Sequence, residues 1–423
     1  MSETFYPQWQ ERVFRRVLPN GLTVAVVIRP GFSKKLAYFV TDYGSMHTGF
    51  SLEGRSVETP AGVAHYLEHK MFDLPRGEVS GEFAALGANP NAFTSYDMTA
   101  YYFSCTDHFE ENLHLLLEFV STPYFTPESV EKEQGIIGQE IDMTADSPDS
   151  RVFEVLMENM YRAHPIRIPI LGTRESIAQI TPQMLYDCHR AFYAPSNMML
   201  CVVGDVDPEE VCRLARQVLG DELRPVPEKL PVPAEEMTCP VPEQTLRMEV
   251  AMPMFQLGFK CESAPKGEAT VRQEIIGDLA AETLFGESSE LYLDLYEQGL
   301  IDSSFDGGFE TVTGMCMLTV SGDSDDPRAV REAILDRAKV LVQEGICRED
   351  FLRMKRSALG RRIRDLDSFD STCFRLCAYH LDGFDYFRFP EVFATVTQQE
   401  ILDFIRTVVT EDRCSLCIIE PND

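Results

Sequence analysis

The sequence predicts an α+β protein built from two related halves, and three observations carry that expectation. Each half opens on β-branched and aromatic runs that read as strands, then alternates strands with long helices. A proline-rich stretch separates the halves. Pro225, Pro227, Pro231, Pro233, Pro240 and Pro242 fall within residues 221–244 with no sustained apolar periodicity between them, the composition of an extended linker. An apolar helix, a turn and a second helix occupy residues 115–140, and residues 333–362 repeat that order. These divisions give a first domain over residues 1–222, a linker over 223–245 and a second domain over 246–423.

In chain order, residues 22–28 and 35–40 are the opening strands, rich in Val, Ile, Tyr and Phe. Residues 65–69 then read His-Tyr-Leu-Glu-His. Residues three and four apart share a helix face, so His65, Glu68 and His69 point the same way. Imidazole is a good zinc ligand, and a catalytic zinc takes three protein ligands and keeps one position open for water. Glu68 stands where a general base toward that water belongs. The H-x-x-E-H order is the inverted form of the commoner zinc-peptidase motif.

A third ligand must come from elsewhere. Residues 126–140 predict a helix, with Thr126 as N-cap, Pro127 at the first helical position and acids in the first turn. Glu133 and Glu140 lie seven apart, about two turns, and project from one face. One can ligate the metal while the other orients a ligand or the substrate. Between the two helices, residues 91–103 read as strand, whose edge could pair with an extended peptide.

After the linker, residues 246–250 and 256–260 are again strand-like. In the repeated helix pair, Gly345 and Cys347 mark the turn, and alignment sets Arg361 opposite Glu140. Residues 276–282 contain no histidine pair, so one half can carry metal and the other is a bare copy. Cys414 and Cys417 have C-x-x-C spacing, but they run into Ile418 and Ile419 and read as strand. Cys373 and Cys377 read as buried thiols on a helix.

The helix pair and the strand between them resemble the pitrilysin/insulysin family of zinc peptidases, which includes the mitochondrial processing peptidase. The matching residues are His65, Glu68, His69, the Asn91-Ala92-Phe93-Thr94 segment, Glu133 and Glu140, continuing through Pro195-Ser196-Asn197-Met198 and the strand ending at Val203-Gly204-Asp205-Val206. The resemblance implies zinc held by His65, His69 and Glu140, Glu68 as the base and Glu133 as a supporting acid. It implies that the edge strand aligns a peptide substrate over the metal at Asn91 and Ala92. It also implies the architecture: two related α/β domains, each a mainly antiparallel sheet packed with helices, forming one clam-like half of a peptidase. Active members complete the site with an Arg and a Tyr from a second unit, in a pattern close to L-R-x-x-x-G-L-x-Y. Here Gly299 and Leu300 match, but Leu295 stands at the Arg position and Asp302 at the Tyr position. Neither donates a hydrogen bond to an oxyanion at neutral pH. The expected assembly is therefore a heterodimer with a homologous subunit that supplies the Arg and Tyr; a homodimer is the alternative, with Arg375 or Tyr379 as substitute donors.

Composition is consistent with this. A length of 423 residues fits two to three domains, and 44% hydrophobic residues can fill a substantial core. No apolar run reaches membrane-spanning length, and the start lacks the layout of a signal peptide. Twelve cysteines at scattered spacings fit a reducing cytoplasm better than a disulfide framework. A formal net charge of −30 disfavours nucleic acid and anionic membranes as partners. Two other function classes fit the sequence less well. A non-catalytic structural subunit would have no need of Glu68, and a hydrolase of non-peptide bonds would have no need of a peptide-aligning strand.

Overall fold

In the computed structural model, which describes residues 2–422 apart from Gln8, the two halves share one sheet plan. The first sheet has seven strands in the spatial order Ser2–Tyr6, Glu11–Val17, Thr23–Ile28, Met198–Gly204, Lys35–Thr41, Thr99–Cys105, Asn89–Thr94. The second has five, in the order Glu243–Met248, Cys414–Pro421, Met254–Cys261, Met315–Asp323, Asp306–Val312. Setting aside the N-terminal hairpin, each sheet runs first, last, second, fourth, third in its own chain order. In each, the first and last strands pair in parallel and the others antiparallel. The fold is α+β with mainly antiparallel sheets, as the sequence predicts.

The strand expected over residues 246–250 instead occupies Glu243–Met248. Its position is set by pairing Glu243 with Leu416 and its successors with the last strand, which local composition does not reveal. The helices follow the sequence closely. Pro127–Ala145 is capped by Thr126, whose hydroxyl accepts the Ser129 N–H at 3.1 Å, while Ser129 Oγ accepts the Thr126 N–H at 3.2 Å. In the second half, Pro327–Glu344 ends at Gly345, whose φ of 82° suits glycine, and Arg348–Asp365 follows. Helix Glu268–Phe285 packs against Arg348–Asp365 as helix Val63–Met71 packs against Pro127–Ala145.

The proline-rich stretch is extended but tied down. Glu228–Lys229 pairs with Gly49–Leu52, and Lys229 meets Asp42 at 2.6 Å. Farther on, the fully buried Lys260 donates to the Glu236 carbonyl at 2.9 Å. The two halves meet where helix Phe369–Leu381 lies on strands Met198–Gly204 and Lys35–Thr41 of the first sheet. Cys201, Cys373 and Cys377 are buried there, Cys414 and Cys417 are buried in a strand, and all twelve cysteines are free. At the other end, Arg15 pairs with Asp385 at 2.7 Å, and the Trp9 indole donates to the Phe387 carbonyl at 3.3 Å. No helix among the described residues is long and apolar enough to cross a membrane.

An ion-pair cluster built on one buried arginine occupies the helix pair of the second half. Arg362, 7% exposed, reaches Glu274 at 2.8 Å and Asp278 at 2.5 Å, while the more exposed Arg361 reaches Glu282 at 2.6 Å. Removing one partner of such a cluster strands the others without compensation. Arg362→Leu is expected to cost about 3 kcal/mol and to lower the urea midpoint of unfolding accordingly.

Candidate metal centre

The histidine helix begins at Gly62, where φ is 89° and an added Cβ would lie 2.4 Å from the Leu171 carbonyl oxygen, so the backbone fits there only without a side chain. Tyr66 and Leu67 turn into the core, and the Tyr66 hydroxyl donates to the Val130 carbonyl of helix Pro127–Ala145. That bond fixes the two helices against each other, while His65, Glu68 and His69 emerge on the side facing the acidic residues.

One ligand atom each from His65, His69 and Glu140 lies within 4.8 Å of the other two. His65 Nε2 is 3.6 Å from Glu140 Oε1, and His69 Nε2 is 3.6 Å from Glu140 Oε2. These separations are too long for hydrogen bonds and leave room for an ion bound at about 2 Å from each donor. His69 turns its other nitrogen, Nδ1, to Glu133 Oε1 at 3.1 Å. This contact favours a proton on Nδ1 and leaves the Nε2 lone pair for a metal. Lys70, 1% exposed, is bonded to Asp73 and lies 3.6 Å from Glu133 Oε2, which holds that carboxylate in turn. His65 Nδ1 is buried without a protein partner.

Glu68 is 8% exposed, and its Oε2 accepts the Thr94 hydroxyl at 2.6 Å. The Thr99 hydroxyl, 3.4 Å from that of Thr94, donates to the Tyr43 carbonyl at 2.8 Å. Glu68 is thus hung from the end of strand Asn89–Thr94. Burial pushes the Glu68 carboxyl above its ordinary pKa, and the Thr94 bond and the two histidines counter this only in part. Glu140 is held below the usual range by its contact with His65. Burial disfavours charge on Glu133, but His69 and Lys70 outweigh it and keep the acid ionised. Burial likewise disfavours charge on His69, yet Glu133, Glu68 and Glu140 raise its pKa. The cluster is a small, partly open cradle for a cation.

The donor set fits a catalytic zinc: two imidazole nitrogens, one carboxylate and an open side, with the Glu140 side chain 41% exposed. Glu133→Gln keeps the shape but weakens the hold on His69. It is expected to lower metal affinity by about 10- to 100-fold, read by competition with a coloured chelator.

Asn91 and Ala92 lie on strand Asn89–Thr94, the last in its sheet, with a strand neighbour among the described residues only on the Thr99–Cys105 side. Asn91 Oδ1 accepts the Ala92 N–H at 2.8 Å. The donors a homodimer would need as substitutes are already engaged: the Tyr379 hydroxyl donates to Glu274 at 2.6 Å, and Arg375 pairs with Asp365 at 2.8 Å. Leu295 is 2% exposed in the core, and the Asp302 carboxylate accepts bonds from Ser304. Thr94 and Lys70 have roles at the centre that spacing alone did not reveal. Thr94 is twenty-six residues from Glu68 and meets it only through sheet pairing.

Residues 53–174 match the family model described as Insulinase (Peptidase family M16), and residues 179–358 match the one described as Peptidase M16 inactive domain. Across 98% of its length the chain is 37% identical to the uncharacterized zinc protease YmfH of Bacillus subtilis, covering 98% of that protein. The chain belongs to the insulinase family of peptidases, M16. This M16 chain superposes with a TM-score of 0.93 on a putative M16-like peptidase from Alicyclobacillus acidocaldarius, at 32% identity over 97% of this chain and 99% of that one. It is 28% identical over 48% of its length to the mitochondrial-processing peptidase subunit beta of Caenorhabditis elegans, covering 44% of that protein. Pitrilysin shares the fold, with a TM-score of 0.79 at 18% identity, and the chain covers 46% of its length.

Proposed function

We propose that this chain is the zinc-bearing subunit of an M16 endopeptidase that hydrolyses peptides or small unfolded polypeptides. The observation that carries the reading is the convergence of His65, His69 and Glu140 within 4.8 Å, with Glu68 suspended beside them from Thr94. Residues 1–222 form the peptidase domain, 223–245 the linker and 246–423 the homologous domain in which Arg362 and its carboxylates replace a metal site; the shared strand order supports this division.

His65, His69 and Glu140 hold zinc, and Glu133 orients His69. When bound, zinc supplies Lewis acidity, polarising the scissile carbonyl and making water a nucleophile near neutral pH. Glu68 accepts the proton of the attacking water and passes it to the leaving amine. A carboxyl raised by burial is suited to both halves of that transfer. The substrate backbone pairs with the open edge at Asn91 and Ala92, which aligns many sequences over the same centre. Leu295 and Asp302 offer no oxyanion donor, so a homologous subunit supplies an Arg and a Tyr. The name of the nematode relative, a subunit of a processing peptidase, is in keeping with a two-chain assembly.

The test is zinc content and peptide hydrolysis of the purified chain, with an unstructured basic peptide as substrate. Bound zinc without cleavage, and cleavage once a homologous subunit is added, supports the reading. Cleavage by the chain alone removes the need for a partner. Bound zinc with no cleavage in either state favours a structural subunit.

A further inference from the structure

The strand proposed to align substrate has two unlike faces. Thr94 and Ala92 point toward the first core and the metal centre, whereas Phe93 packs toward the second half. There it meets Phe374 of helix Phe369–Leu381, with ring centroids 6.0 Å apart. Phe374 remains 43% exposed, unusual for an aromatic at the seam of two domains. Directly beyond the strand, the turn Ser95 to Met98 forms one wall of a cavity of about 290 Å³ between the halves. Met98, Val271, Val312, Phe374, Ala378 and Leu381 give it apolar walls, and Asp97, Glu274, Arg375 and the Lys266–Asp382 pair, 3.2 Å apart, line it as well.

A peptide added to a sheet edge sends alternate side chains to opposite faces. A substrate residue opposite Phe93 shares its face and is delivered beside Phe374. Because Thr94 bonds Glu68 and Phe93 is its neighbour, that substrate residue lies near the bond that Glu68 would serve. We infer that Phe374, together with Phe93 and the interdomain cavity, is a specificity subsite for an aromatic or large aliphatic side chain, so that the second domain selects the sequence that the first domain cleaves. The inference rests on the edge-strand reading given above. It accounts for an exposed aromatic whose neighbours are the proposed substrate strand and a hollow with apolar walls and a charged rim, with room for one large side chain.

The test uses full-length Glu68→Gln protein, loaded with zinc and unable to turn over, and two fluorescent twelve-residue peptides differing only in a central Phe or Ser. Anisotropy titration is expected to show the Phe peptide binding about tenfold tighter, the contribution of a half-buried aromatic ring. Adding Phe374→Ser should reduce that discrimination to under about threefold, and Phe374→Leu should restore most of it. A melting curve shows whether each variant is folded, and the exposure of Phe374 makes both substitutions tolerable. Equal binding of the two peptides, or discrimination that survives Phe374→Ser, overturns the subsite and leaves the edge-strand reading intact. Failure of both peptides to bind overturns both readings.

Discussion

Glu68→Gln is expected to retain zinc at the native stoichiometry and to slow peptide hydrolysis by about a thousandfold in the assembly that cleaves. The amide preserves the shape of the side chain and can keep its contact with the Thr94 hydroxyl, so the strand and helix hold their places. What it loses is proton affinity. Loss of general-base function alone costs about 10²–10⁴ in rate, or roughly 3–5 kcal/mol of barrier. Metal analysis beside a continuous fluorogenic assay separates the outcomes. A variant that keeps both zinc and full activity would show that another group takes the proton and would sink the assignment of Glu68. A variant that loses zinc would mean that Glu68 belongs to the ligand set.

His69→Ala is expected to abolish stoichiometric zinc binding. It removes one of three converging donors, and it also leaves Glu133 and Lys70 without the imidazole that joins them to the site. The loss of affinity should exceed the roughly 100-fold upper limit for an outer partner such as Glu133. Equilibrium dialysis against buffered zinc measures both variants on one scale. Equal losses for His69→Ala and Glu133→Gln would contradict the division between ligand and supporting acid.

How much of this was readable beforehand depended on how local the controlling interactions are. Thr126 and Pro127 announced a helix start because capping is settled within four residues, and the helix begins there. His65, Glu68 and His69 could be placed on one face because helical spacing is fixed. Glu133 and Glu140 could be paired as candidates, but spacing could not say which of them faces the metal; that division came from resemblance, and the contacts place Glu140 between the two imidazoles and Glu133 behind His69. The strand at Glu243–Met248 was misplaced by about three residues because its register belongs to a partner strand near the other end of the chain. Thr94 was legible only as part of the segment that resembles the family; its bond to Glu68 was not, since a threonine ending a strand has many ordinary uses.

Sequence by itself determined the alternation of strands and helices, the helical clustering of the zinc-peptidase motif and the absence of that motif from the second half. These are properties of periodicity and short-range bonding, and a chain carries them wherever it folds. Tertiary structure alone decided which atoms meet: Thr94 with Glu68, Lys70 with Glu133, Arg362 with Glu274, and Phe374 with Phe93. These partners lie between twenty-six and more than two hundred and eighty residues apart. They are joined by sheet order and by the packing of one half on the other, which no local pattern encodes.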